Sequence, residues 1–115
     1  MQYSLLIYQT ESQFAARTDL ARRDANGAAF MKFVGAMHEA RVLVTTLGIE
    51  PPHMTATVRP DGVRREPLAG MKEQFGGLCV IDVPDIDAAI AWAKRAPFDH
   101  CHAVEVRPTR VVPAE

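Results

Sequence analysis

Hydrophobic and polar positions along the chain predict a succession of strands and helices. Residues 2–9 alternate loosely, and both sets of side chains are largely apolar, which predicts a first strand. Residues 13–41 have a helical period, with one apolar stripe that ends in a basic side chain. Asn26-Gly27 interrupts this stripe, and a glycine inside a helix costs about 1 kcal/mol relative to alanine. We therefore expect two helical pieces, the shorter one before Asn26. The stripe consists of Phe30, Phe33, Val34, Met37 and Arg41.

Beyond residue 41 the pattern predicts further strands and a tail. The strands cover residues 42–47, 55–59, 63–66, 78–83 and 103–107, and the tail covers residues 108–115. Asp61-Gly62 is a hairpin signal, because both residues tolerate a positive φ. Residues 67–74 are predicted to form a loop. Gly76-Gly77 precedes an almost continuous apolar run, which is typical of a strand covered on both faces.

A second helix is predicted to begin at Asp85. The Asp85 carboxylate is a good cap, because it accepts from free N–H groups in the first turn of a helix. Pro97 follows the end of the helical pattern, and Trp92 lies at the border of the apolar stripe. The stripe expected to be buried consists of Ile86, Ala89, Ile90 and Ala93.

These elements predict an α+β fold of ferredoxin-like type. We expect an antiparallel sheet with two helices on one face, formed by residues 1–115 as a single domain. Two helices cannot cover both faces of a sheet, yet residues 2–9 and 78–83 are apolar on both sides. A large exposed apolar patch is rare on a monomer. A second copy of the chain, related by a two-fold axis, is therefore the expected partner.

Composition narrows the other partners. The 115 residues include 13 basic and 14 acidic side chains, so the chain lacks the basic excess that a nucleic acid requires. No window is apolar enough for a membrane span, and the first residues lack the basic start of a secretory signal. Cys79 and Cys101 form no Cys-x-x-Cys motif and are expected to be reduced thiols. We expect a cytoplasmic protein with no nucleic-acid or membrane partner.

Several segments carry a resemblance to a known family. They are Tyr3-Ser4-Leu5-Leu6-Ile7-Tyr8, Leu47-Gly48-Ile49-Glu50-Pro51-Pro52, Lys72-Glu73-Gln74-Phe75-Gly76-Gly77, residues 81–89 and Ala103-Val104-Glu105-Val106-Arg107-Pro108. On these residues the chain resembles the YCII-related proteins, in particular the branch named for its Asp-Gly-Pro-Phe-Ala-Glu-Thr-Lys-Glu loop. The resemblance implies a dimeric α+β barrel.

The chain departs from the family at two places. In residues 65–71 only Pro67 and Ala69 match the naming motif of the branch, and Arg65 replaces its leading acid. The His and Asp proposed as an active pair in relatives fall at Ala29 and His38 when the chains are aligned through Arg41-Val42-Leu43. The resemblance therefore does not carry over a catalytic pair.

His38 and Glu73 are the candidate catalytic residues. An imidazole is suited to general-base work at neutral pH, and Glu73 assists by its charge. The adjacent Glu39 is a poor partner for His38, because neighbouring side chains on a helix point about 100° apart. The other interpretation of His38 is an exposed cation stabilised by the helix C-terminus.

Four residues are candidate ligand-binding groups. Lys72 and Gln74 precede Gly76-Gly77, where a backbone can approach a ligand closely, and the alternative is a hairpin loop with a bulge. Arg59 and Arg64 flank the predicted hairpin turn and suit a small carboxylate, or they only protect a strand edge against pairing.

His100 and His102 would share a face of an extended segment and chelate zinc or iron, but a lone His-x-His is a weak motif. We predict no metal and no cofactor. Two hypotheses for the function remain. One is an enzyme that performs acid/base chemistry on a small organic acid or lactone in a cleft between sheet and helices. The other is a non-catalytic ligand-binding or accessory module, which the family resemblance links to transcription regulation.

Overall fold

The computed structural model describes residues 1–68 and 72–113. Its elements are β1 (Gln2–Thr10), α1 (Glu11–Ala15), α2 (Arg23–Glu39), β2 (Leu43–Gly48), a 3₁₀ turn (Pro52–Met54), β3 (Thr57–Arg59), β4 (Gly62–Arg64), β5 (Glu73–Asp82), α3 (Ile86–Ala93) and β6 (Ala103–Pro108). The predicted α+β class and antiparallel sheet are confirmed. The described chain has three α-helices rather than two on one face of the sheet, because the first helical region is divided into α1 and α2.

Four strands form one antiparallel sheet in the order β2-β5-β1-β6. In the described part of the chain this sheet is open and does not close into a barrel. Among the described strands, β3 and β4 pair only with each other, around the predicted Asp61-Gly62 turn. Gly62 has a φ of 149°, which only glycine adopts readily.

The break between the first two helices lies at residues 16–22, not at Asn26-Gly27 as expected. Asp19 accepts from the Ala21 N–H at 2.9 Å and from Arg22 Nε at 2.8 Å. Such local side-chain bonds compete with helical hydrogen bonding. Asn26 lies inside α2 because its buried amide contacts His100 Nδ1 at 3.5 Å, a tertiary contact that no local pattern contains.

The strand β5 begins earlier than the sequence predicts, so Glu73 and Gln74 belong to a strand rather than a loop. The glycine pair lies inside this strand, at a bulge where Ile7 pairs with Gly77 and Tyr8 with Phe75. A Cβ on Gly76 would come closer than 3.0 Å to Gln9 Oε1. The pair therefore allows a close approach of β5 to a neighbouring side chain rather than marking the end of a loop.

The helix α3 begins as predicted, with Asp85 Oδ1 accepting from the Ala88 N–H at 2.8 Å. Ala89 and Ala93 are buried, but Ile86 and Ile90 are 43% and 37% exposed. The expected four-residue stripe is thus half as wide as predicted. Small side chains let this short helix lie close to the sheet, and that leaves the isoleucines at its margin.

The two faces of the sheet have different surroundings. We call the face that carries Leu5 and Ile81 the front face and the face that carries Leu6 and Leu78 the back face. Phe33 and Met37 of α2, with Ala89 and Ala93 of α3, pack on the front face and form the core with it. The back face carries no helix in the part of the chain that is described. None of the described helices has the length and apolar character needed to cross a membrane.

Candidate functional site

A cleft of about 840 Å³ lies beside α1 at the end of the sheet. We call it the outer cleft. Its lining includes Glu11, Phe14, Pro52, His53, Glu66, Leu68, Lys72 and Gln74. Its volume falls in the range of about 300–1,000 Å³ that is usual for small-molecule sites. Lys72 and Gln74, two of the predicted ligand-binding residues, lie in this lining.

Local structure places the side chains of the outer cleft. Thr10 Oγ1 accepts from the Gln13 N–H at 3.3 Å, and Gln13 Oε1 accepts from the Thr10 N–H at 2.9 Å. This capping box starts α1 and directs the buried Phe14 to the cleft. On the other side, the Ile49 N–H donates to Gly76 O at 2.9 Å and anchors the segment that carries His53.

The outer cleft has ionisable groups of both signs. Glu11 and Glu66 provide carboxylates, Lys72 an ammonium and His53 the one imidazole among the described lining residues. Arg64 Nη1 lies 3.8 Å from Glu66 Oε1, so this predicted ligand residue reaches the cleft through Glu66. Arg59 is exposed on β3 and lines none of the described cavities.

A smaller pocket of about 220 Å³ lies between the front face and α2. We call it the inner pocket, and it shares no lining residue with the outer cleft. Its polar wall contains Gln9, Arg17 and Asn26, which sequence analysis did not select. One signal was present in the sequence, since Gln9 continues the inward series of Tyr3, Leu5 and Ile7 as a polar residue at a core position.

Glu73 lies outside both cavities. Its Oε1 is 3.0 Å from His102 Nε2, and Glu73 pairs with Thr10 in the sheet register. Nearby, the Tyr8 hydroxyl donates to Glu105 Oε1 at 3.4 Å. Burial, and then the charge of Glu105, raises the pKa of Tyr8. Sequence analysis named Glu73 but missed His102 as its partner, because the contact joins residues far apart in the chain.

His38 lies at the opposite end of the molecule from the outer cleft lining. It is exposed near the end of α2 and lines a shallow depression with Gly35, Glu39, Arg41 and Leu43. His38 and Glu73 are therefore not brought together in one cavity. His100 and His102 face different partners, Asn26 and Glu73. Within residues 1–68 and 72–113 no three His, Cys, Asp or Glu side chains are grouped to hold a metal ion.

A model of the YCII-related domain matches residues 1–112. The chain belongs to the YCII-related family. No curated protein has a significant sequence match to this YCII-related chain.

Among solved structures of similar fold, one matches this chain over nearly the whole length of both chains. It is a 5-chloro-2-hydroxyhydroquinone dehydrochlorinase from Burkholderia phenoliruptrix AC1100, in complex with 2,5-dihydroxybenzoquinone. The similarity has a TM-score of 0.55 at 13% identity and covers 96% of this chain and 94% of the other. At this identity the match shows a shared fold.

Proposed function

We propose that this YCII-related protein binds a small organic molecule in the outer cleft and transfers protons to and from it. The supporting observation is the lining of that cleft, which combines His53, Lys72 and two carboxylates with the apolar Phe14. Imidazole ordinarily changes charge near neutral pH, so His53 is the lining group best suited to act as general acid or base.

The chemical class of the substrate follows from the same lining. Lys72 favours an acidic or enolised oxygen, Gln74 supplies an amide for orientation, and Phe14 packs against an apolar body. A small organic acid, a lactone or a hydroxylated ring has these features. The dehydrochlorinase of similar fold is named for a hydroxylated ring, which supports this class without assigning its reaction to this chain.

A screen of small acids, lactones and hydroquinones tests the proposal. Binding is measured as a rise in melting temperature, and consumption of the compound is measured by NMR. We expect His53→Gln to abolish turnover with binding retained, and Lys72→Met to weaken binding about tenfold or more. Matched variants His38→Gln and His102→Gln test the other imidazoles. If His38→Gln or His102→Gln alone stops turnover, the outer cleft is not the active site.

His38 and Glu73 define the alternative catalytic proposal. The Glu73 carboxylate pairs with the His102 imidazole, an arrangement that can orient an imidazole for acid/base chemistry. His38 lies at a different place, beside Glu39 and Arg41. The imidazole variants above separate these sites from the outer cleft. In this proposal Arg59 and Arg64 attract an anionic substrate by their positive charge, and Arg64 contacts the cleft residue Glu66.

A non-catalytic module is the second candidate function. Ala29 and His38 stand where relatives carry their proposed His and Asp pair, which favours loss of the ancestral reaction. A ligand that raises the melting temperature and is recovered unchanged supports this function, and a role in transcription regulation would follow from the family alone.

The 72–77 and 103–108 segments support membership of the Asp-Gly-Pro-Phe branch. The free, buried Cys79 and Cys101 are consistent with a cytoplasmic location.

We also propose that two copies associate through their back faces and complete an α+β barrel. Leu6, Phe75 and Leu78 are only half-buried there, and Leu47 is 56% exposed. The radius of gyration is 15.3 Å, against about 13 Å for a compact chain of this length.

Sedimentation at several concentrations tests the association. We expect a dimer for the unmodified chain and a monomer for Leu6→Glu. Val58→Glu introduces the same charge at a position that is 74% exposed on the separate hairpin, and it should leave the dimer intact. A monomer at micromolar concentration for the unmodified chain contradicts the proposal.

A further inference from the structure

We propose that the inner pocket binds a small monocarboxylate, with the Arg17 guanidinium holding the carboxylate and α2 covering the apolar body. The pocket lies between the front face and α2, and it is separate from the outer cleft. The inference therefore does not depend on the function proposed for that cleft.

Arg17 is fixed in place by neutral acceptors. Its Nη2 donates to Gly76 O at 2.7 Å and to Gln9 Oε1, and its Nη1 donates to Ile49 O at 2.5 Å. A guanidinium has five N–H donors. The described acceptors use both N–H groups of Nη2 and one N–H of Nη1, so the second N–H of Nη1 and the N–H of Nε remain as donors for an anionic ligand.

The positive charge of Arg17 has no close counter-ion in the described residues. No carboxylate among residues 1–68 and 72–113 lies within 4.0 Å of the guanidinium. Burial lowers the pKa of Arg17, and the more distant Glu50 opposes that shift. The guanidinium lies 4.7 Å over the Phe14 ring and donates to three neutral oxygens, so the negative charge of a ligand would offset its partial desolvation.

A second polar group supports a ligand in this pocket. Gln9 has a protein partner for each end of its amide, since it accepts from Arg17 and donates through Nε2 to His100 O at 2.9 Å. Asn26 is only 5% exposed, and its amide has one described contact, from Nδ2 to His100 Nδ1 at 3.5 Å. The contact uses one N–H of Asn26 Nδ2, so the second N–H of that amide can donate to a ligand oxygen.

The remaining walls define the size and polarity of the ligand. Ile7 on the sheet and Phe30 and Val34 on α2 contribute apolar side chains to the pocket lining. A volume of about 220 Å³ admits a benzoate-sized acid but not a nucleotide. One guanidinium suits a single negative charge. These features select a small monocarboxylate over a di- or triphosphate.

Titration with benzoate tests the inference, with benzamide as the uncharged probe of the same shape. Binding is followed by chemical shifts and by melting temperature. We expect benzoate to bind at least about tenfold more tightly than benzamide. Arg17→Met should abolish that preference, whereas Lys32→Met, which removes the same charge from the exposed surface of α2, should not.

A second variant separates ligand binding from folding. Val34→Phe fills the pocket without touching the Arg17 hydrogen bonds, and it should weaken benzoate binding about tenfold or more while the fold is retained. Lys72→Met in the outer cleft should leave benzoate binding unchanged. Equal binding of benzoate and benzamide, unaltered binding to Val34→Phe, or loss of binding in Lys72→Met would each overturn the inference.

Discussion

The two faces of the four-stranded sheet have similar sequences and different surroundings. Leu5 on the front face is fully buried under α2 and α3, whereas its neighbour Leu6 on the back face is half-buried. Both are leucines in the centre of β1, between the same two strands. Burial therefore depends on what covers each face, and not on the hydrophobicity of the strand.

The polar residues of the two faces differ in the same way. On the front face Gln9 is 1% exposed and has protein partners for its amide. On the back face Tyr8 and Glu105 contact each other at 3.4 Å near solvent. The front face is a packed core with a small pocket, and the back face combines half-buried apolar side chains with polar groups near solvent.

Alanine at Leu5 and at Leu6 gives the largest contrast. We expect Leu5→Ala to lower the free energy of unfolding by about 3 kcal/mol, because it leaves a cavity in the core. Leu6→Ala should cost less than about 1 kcal/mol in the monomer, since little area is removed from water there. Urea unfolding at several protein concentrations measures both. Equal losses for the two variants in a monomeric sample would remove the distinction between the faces.

The sequence predicts the parts of this contrast that are local. Alternation in β1, the Asp61-Gly62 hairpin and the Asp85 cap each depend on neighbouring residues, and each is confirmed. The break before α2 was misplaced because the contact of Asn26 with His100 is tertiary.

The candidate site was less predictable than the fold. Lys72 and Gln74 were predicted from their position before the glycine pair. His53 lines the same cleft, and Arg17 donates to Gly76 O, but both come from segments far away in the sequence. Glu73 was selected without His102, for the same reason. Single-sequence patterns carry no information about such contacts between distant segments.

Two glycines sharpen the contrast between crowded and open positions. Gly76→Ala should destabilise the chain by about 1–3 kcal/mol, because the added methyl meets Gln9 and Arg17 beneath the inner pocket. Gly27→Ala in α2 meets nothing within 4 Å and should stabilise the helix by about 0.5–1 kcal/mol. Thermal unfolding of both variants provides the measurement. If Gly76→Ala instead raises the melting temperature, Gln9 and Arg17 are not packed against position 76 as closely as described.

The helix that covers the front face ends at a strained residue. Arg41 has a φ of 62°, its N–H donates to His38 O at 3.0 Å, and the Val42 N–H donates to Met37 O at 3.1 Å. This is the Schellman arrangement, in which glycine is the preferred residue. Arg41→Gly should therefore stabilise α2 by up to about 1 kcal/mol. Arg41→Ala removes the same charge without relieving the backbone, so a similar gain there would indicate a charge effect instead.

The smallest expected effect on stability at neutral pH comes from the cysteine thiols. Their reactivity also compares the buried front face with the half-buried back face. Burial raises the pKa of Cys101 to about 11, and burial also raises the pKa of Cys79, partly opposed by Thr46. Since folding favours the neutral thiols, their contribution to stability is complete below the ordinary thiol pKa and is lost as pH rises through the raised values. At pH 8 both thiols should resist iodoacetamide in the native protein and react in urea.

A cysteine introduced as Leu6→Cys on the back face should react at pH 8 in the monomer and become protected at concentrations where two copies associate. Rapid alkylation of Cys101 in the native protein at pH 8 would mean that the front face opens far more readily than its packing indicates.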